Sequence, residues 1–341
     1  MTGLTRSLWS LFDLNGTASR KRGWIIFGLC LVTLAASQFA VISVAAPARP
    51  LYAVLGLLVA IQAAMFVQRL HDAGRSGYWA MTTMIPFAGL IAAIWILLLP
   101  TSSAILRAHP LARRIGTVAM LAFLALFLTR ALGLWLPIWI PSESMKPTLL
   151  IGDFLIVTPS ANPERGDVLV FHHPVNGQDY VKRLIGLPGD TVQMRGGVVW
   201  LNGAALSQTA DGPFEEVFAP QGPSANLPRC ANAPVGIGAL CRRNRLIETL
   251  PNGRHYAILN TDDSFADNTG VFTVPPAMLF FMGDNRDNSL DSRMPQTVGG
   301  LGLVPLANVK GRAWVTLFSA AGTSLANIGS WRPDRYWKAV E

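Results

Sequence analysis

Four long apolar runs, all within the first 137 residues, constrain this chain more than any other feature. Trp24–Ala46 is uncharged over 23 residues, Leu51–Val67 over 17 and Trp79–Leu99 over 21, while Ile115–Pro137 holds only Arg130. A helix needs about 20 predominantly apolar residues to cross a bilayer. The pattern therefore predicts an N-terminal α-helical transmembrane region over residues 1–137. The first run is too long for a cleaved leader and lacks a small-residue cleavage site followed by polar sequence. Charge points the same way. Residues 1–137 hold 11 Lys+Arg and 2 Asp+Glu, and residues 138–341 hold 17 and 18, so the net +8 is a sum of +9 and −1. Positive charge confined to loops between apolar runs sets membrane orientation. It argues against a nucleic-acid partner and for membrane lipid.

Orientation follows from where those charges fall. Four full spans with an external N-terminus would leave six of the ten loop positives outside: Arg6, Arg20, Lys21, Arg22, Arg69 and Arg75. Pro86 and Gly89 interrupt Trp79–Leu99, and reading that run as a re-entrant hairpin leaves only Arg49 outside. A break of this kind is tolerated where neighbouring helices cover the backbone. It also puts residues 138–341 outside the cytoplasm. Arg69, His71, Asp72 and Arg75 read as an interfacial loop held by ion pairs.

From Ile138 the pattern changes to short β-rich runs: "DFLIV", "GDVLVF", "YVKRLIGL", "TVQMRGGVVWLNG", "MLFFMGD" and "GRAWVTLFS". Pro-Gly, Asn-Gly and Gly-Asp turns separate them, which predicts an all-β domain over 138–341. Residues 204–255 carry few strand signals and read as a loop-rich insertion. Cys230 and Cys241, 11 apart in that insertion, are suited to a disulfide in an oxidising compartment. No phosphate loop, metal-ligand spacing or cofactor motif is present, and no cofactor or metal is expected. The acids of "GDNRDNSLDSR" do not fit a calcium loop, because Ser289 stands where glycine belongs and Pro295 where glutamate belongs.

Three stretches carry candidate chemistry. "IPSESMKPTLLIGDF" places Ser142 and Ser144 two residues apart, so an extended backbone projects both hydroxyls to one side. A serine needs a base to become a nucleophile. His172, His173 and His255 are possible partners, but "FHHPVNG" reads as a solvated turn. Lys182 in "DYVKRLIGLPGD" shares a strand face with Tyr180 and Leu184. Desolvation on such a face disfavours the ammonium, and a neutral amine can take a proton from a serine. In the third stretch Asp291 and Arg293 share a side, and Ser289 offers a hydroxyl.

Together these stretches resemble bacterial signal peptidase I of the S26 peptidases, over about residues 138–318. The resemblance implies a catalytic domain of the signal peptidase type and a Ser/Lys dyad that removes signal peptides from exported preproteins. It implies residence in the bacterial inner membrane, with catalysis on the outer, periplasmic face and near the secretion machinery. It makes Ser144 the nucleophile and Lys182 the general base. Ser142 joins the Ser144 backbone N–H in the oxyanion hole, and Ser289 orients the lysine. Asp291 and Arg293 form a supporting ion pair, and Tyr180 supports the surroundings of the lysine. Ile140, Met145, Leu149 and Val181 line small substrate pockets. Glu143 stands where the family often has glycine, and its side chain is expected to point harmlessly away from both serines. Separately, "LNGTASRKRGW" and "RLHDAGRSGYW" resemble a family of small inner-membrane proteins of uncharacterised function, which implies membrane residence. The rival readings are a specialised peptidase maturing pilin or conjugation-type proteins, and a catalytically silent membrane scaffold.

Overall fold

The structure, a computed structural model, describes residues 132–260, 264–325 and 327–341. Of the N-terminal part it describes residues 21, 24–29, 49–75, 80, 88–100, 118, 125, 126 and 128–130. The chain divides into two compact units, Met1–Leu134 and Trp135–Glu341.

In the first unit, α1 (Arg49–Asp72) and α2 (Ala88–Leu98) bury Met65, Phe66, Leu70, Ala93, Ile96 and Leu97 among themselves. The expectation of an interfacial loop at Arg69, His71 and Asp72 is corrected, because all three lie in the last turn of α1. Arg69 is fully buried and pairs with Asp72 at 2.5 Å. It also donates to the Leu99 carbonyl. Such partners are what make a buried guanidinium tolerable. Pro86, the expected turn of the hairpin, lies outside the described residues, as does much of Trp24–Ala46 and of Ile115–Pro137. Among the described residues, no helix is long and apolar enough to cross a membrane.

The second unit is all-β. In chain order the strands are β1 (Leu136–Trp139), β2 (Asp153–Thr158), β3 (Val168–His172), β4 (Asp179–Gly186), β5 (Thr191–Arg195), β6 (Val198–Leu201) and β7 (Ala204–Ala205). Then come β8 (Ser207–Val217), β9 (Leu240–Thr249), β10 (His255–Leu259), β11 (Phe272–Thr273), β12 (Met278–Met282), β13 (Val304–Pro305), β14 (Val309–Ser319) and β15 (Lys338–Ala339). The main sheet runs β1-β2-β14-β3-β4-β12-β13, with β15 paired to β14. Two smaller sheets run β11-β5-β6-β7 and β10-β9-β8. Each β-rich run read from the sequence forms a strand or a strand pair. β1 starts at Leu136, so the last apolar run ends inside the β unit. Between β6 and β7, Asn202 and Gly203 both take positive φ, 53° and 82°, as a tight hairpin turn requires.

Alternation along the strands builds the core. Leu155 and Val157 of β2 are buried while their neighbours are half-exposed. On β4, Val181 packs in one cluster with Ile140, Met145 and Leu149. Tyr180 and Leu184 pack in another with Phe171 and Phe281, as opposite strand faces demand.

The loop-rich reading of 204–255 is corrected. That segment contains β8 and β9, paired antiparallel from Ser207 opposite Thr249 to Val217 opposite Leu240, with a register shift between Ala210 and Pro213. Most of β8 is exposed. A strand without a buried face shows no apolar alternation, so nothing in its sequence announces it. Backbone pairing with β9 holds it instead. A Cys230–Cys241 disulfide ties the long β8–β9 connection to β9.

Candidate active site

Ser144 sits in the turn between β1 and β2. The turn is closed by Lys146 N–H donating to the Glu143 carbonyl and Leu149 N–H donating to the Met145 carbonyl, each at 2.9 Å. Its far end is held by Asp153, whose carboxylate accepts from Leu150 N–H at 2.8 Å and pairs with Arg335 at 2.5 Å. Thr148 donates to Asp284 at 2.5 Å, and Arg183 grips the same carboxylate with two bonds of 2.8 Å. The Ser144 turn is therefore tied to β4 through Asp284.

On β4, next to Arg183, stands Lys182. Its Nζ lies 2.5 Å from Ser144 Oγ. Ser144 and Lys182 are only 8% and 4% exposed. Burial lowers the lysine from its ordinary value of 10.5 to about 8, against the pull of nearby Asp291 and Asp284, while the Arg293 charge pushes the same way as burial. A substantial share of Lys182 is therefore a neutral amine near pH 8, able to accept a proton.

Asp291 and Arg293 form a buried two-point ion pair with both bonds at 2.9 Å. Burial pushes the Asp291 carboxyl up, but Arg293 and the Gly283 N–H outweigh it and hold it below the usual range. Gly283 carries the close approach of this loop to Ser144. A Cβ there would lie 2.3 Å from Ser289 Oγ and 2.5 Å from the Ser144 carbonyl oxygen.

Ser144 and Lys182 line an open cleft of about 1130 Å³, whose wall also includes Ile140, Met145, Tyr180 and Val181. Leu149, expected in a substrate pocket, is fully buried behind this wall and does not line the cleft. Ser142 Oγ lies 3.3 Å from Ser144 Oγ. The Tyr180 ring centroid is 5.7 Å from Lys182 Nζ and 4.8 Å from the His173 ring. His172 ends β3 opposite Asp179 of β4, and His255 opens β10. Among the described residues no histidine bonds to Ser144. Ser289 is buried near Ser144, across Gly283, but its hydroxyl has no partner among the described residues. The expected Ser289–Lys182 contact is therefore not formed.

The Glu143 side chain bonds to neither serine, in line with expectation, but it enters a buried charge cluster that was not expected. It is buried, 3.3 Å from Lys146 Nζ and 3.4 Å from Arg243, and accepts from Asn288 at 3.1 Å. Sequence reasoning also passed over Glu248, fully buried and paired with Arg286 at 2.5 Å. Lys146 inside a largely apolar stretch was the one available hint of a buried charge cluster.

Comparison with known proteins fits this geometry. The family described as "Signal peptidase, peptidase S26" matches residues 112–318, and "Protein of unknown function (DUF805)" matches residues 11–107. Signal peptidase I of Rickettsia typhi is 32% identical over 215 residues, covering 54% of this chain and 72% of that protein. Signal peptidase I of Aquifex aeolicus is 35% identical over 205 residues, covering 54% and 77%. A crystal structure of a signal peptidase I from Enterococcus faecalis is 28% identical, covering 44% of this chain and 96% of its own, with a TM-score of 0.23. The family match spans more than half of this chain, and the chain belongs to the S26 signal peptidases, which makes it a serine endopeptidase.

Proposed function

We propose that this protein removes N-terminal signal peptides from exported preproteins by Ser/Lys dyad catalysis. The observation that carries the reading is the 2.5 Å contact between Lys182 Nζ and Ser144 Oγ in a buried setting. The neutral Lys182 amine takes the Ser144 proton as Oγ attacks the scissile carbonyl. The developing oxyanion is received by the Ser144 N–H, which donates to no described group, and by the Ser142 hydroxyl. The Lys182 ammonium then protonates the leaving amine, and the recovered amine activates water against the acyl-enzyme. Ser289, buried beside the nucleophile turn, is suited to accept from that ammonium. Asp291 and Arg293 brace the loop behind it. Ile140, Met145 and Val181 leave room for small side chains before the cut.

The apolar runs of residues 1–137 and their positive loops support a multi-pass anchor in the inner membrane. Residues 138–341 are then on the outer face, where exported chains emerge from the secretion machinery. The cleavage test uses the purified full-length protein and a preprotein with a small-x-small cut site. Wild type should release the mature chain, and Ser144→Ala should not. For topology, single cysteines at Ser76, Ser103 and Ser160 in a cysteine-free background are exposed to an impermeant thiol reagent on intact cells. Labelling at Ser160 alone is expected. Protection of Ser160 would put the site in the wrong compartment.

A further inference from the structure

A buried cluster of charges joins the nucleophile turn to the β8–β9 hairpin. Lys146, fully buried, places Nζ 2.8 and 3.0 Å from the two Glu216 oxygens, 3.0 Å from Gln221 Oε1 and 3.3 Å from Glu143. Arg243, 2% exposed, lies 3.4 Å from Glu143 through one guanidinium nitrogen and donates to Glu216 through another. Its guanidinium carbon stands 5.2 Å from the Phe214 ring centroid. Two cations and two anions cancel. Charges are retained in so buried a place only when paired this way.

The members come from three segments distant in sequence. Glu143 and Lys146 bracket Ser144 in the β1–β2 turn, Glu216 is on β8 and Arg243 on β9. Asn288, from the loop that also carries Ser289, closes the ring on Glu143 at 3.1 Å. From the same loop, Asn285 donates to the Glu143 carbonyl through its side chain and to the Ser144 carbonyl through its backbone N–H, both at 3.1 Å. Glu143, just before Ser144, and Lys146, two residues after it, are thus held by their side chains, while the Ser144 side chain is left to Lys182.

We infer that Glu143, Lys146, Glu216 and Arg243 are positioning residues, through which the inserted hairpin sets the place of the Ser144 hydroxyl and N–H and so governs turnover. The inference rests on Ser144 being the nucleophile. An attacking atom displaced by about 1 Å can lose two orders of magnitude in rate. None of the four side chains bonds to Lys182, so its titration should be untouched.

The test uses full-length protein and a preprotein substrate. Arg243→Lys keeps the charge but not the fork that spans both carboxylates. Lys146→Met/Glu216→Gln removes one charge of each sign. Each should melt near the parent temperature and keep its KM, with kcat reduced at least ~10-fold and the midpoint of the rate–pH curve unmoved. Parental kcat in a folded variant, or a change in KM alone, overturns the inference. So does a shifted pH midpoint. Loss of fold in the double variant leaves Arg243→Lys to decide, and loss of fold in both assigns the cluster a purely structural role and overturns positioning. Ser144→Ala is run alongside. If it still cleaves, the nucleophile assignment itself fails, whereas an inactive Ser144→Ala beside fully active cluster variants sinks this inference alone.

Discussion

Lys182 Nζ and Ser144 Oγ, 38 positions apart in the chain, meet at 2.5 Å. The lysine is set by pairing in the main sheet, opposite Leu169 of β3. The serine is set by a turn pinned to that sheet through Thr148, Asp284 and Arg183. The site is therefore as rigid as the sheet beneath it, and the consequences below follow from that.

Ser144→Ala and Lys182→Ala should each abolish cleavage, and the double variant should be no slower than either. Residues that act as one unit are not additive. Single-turnover rates of the three variants decide this. Near-parental turnover in Lys182→Ala would return the base role to a histidine.

Activity should rise with pH through about 8, where Lys182 loses its proton. Stability should follow the same group. Below about pH 8 the lysine is an ammonium both folded and unfolded, and its burial penalty is fully present. Between about 8 and 10.5 it is neutral when folded and charged when unfolded, so stability rises with pH. The displacement from 10.5 to about 8 corresponds to on the order of 3 kcal/mol. Lys182→Met should accordingly be more stable than the parent at pH 7, with the gap narrowing toward pH 10. Melting curves across that range check it, and a gap independent of pH would contradict the assignment.

Ser142→Ala should lower kcat by roughly 10²–10³-fold, the loss expected for one oxyanion donor. KM should change little, because the hydroxyl acts on charge that develops only in the transition state. Steady-state kinetics separate the two, and an effect carried by KM would remove Ser142 from the oxyanion hole.

Gly283→Ala should disable the enzyme through crowding. Its Cβ would meet the Ser144 carbonyl oxygen at 2.5 Å and Ser289 Oγ at 2.3 Å. The first of these is backbone, so the Ser144 turn must shift. A stability loss of about 1–3 kcal/mol is typical of such overpacking. The loss in kcat should be the larger effect, because displacement falls on Ser144, the proposed nucleophile. Parental kcat in a protein that still folds would mean that the turn yields without consequence.

The sequence alone determined the all-β character of the second unit, because strands with one buried face must alternate apolar and polar residues. It also put forward Ser144, Lys182, Asp291 and Arg293 as candidates, because each sits in a long local motif, and the fold brings Ser144 to Lys182 and Asp291 to Arg293. Tertiary structure alone decided what Glu143 and Lys146 do. Their partners, Glu216 and Arg243, are some 70 to 100 positions away, one on the largely exposed β8 and the other on β9, where the buried positions include the charged Arg243 and Glu248. A buried charge is legible only with its counter-charge, and the fold brings that counter-charge in from elsewhere. The same reason separates Leu149 from the cleft wall. Local pattern marks it as apolar, but only the packing of β1, β2 and β4 determines whether an apolar side chain faces the core or the cleft.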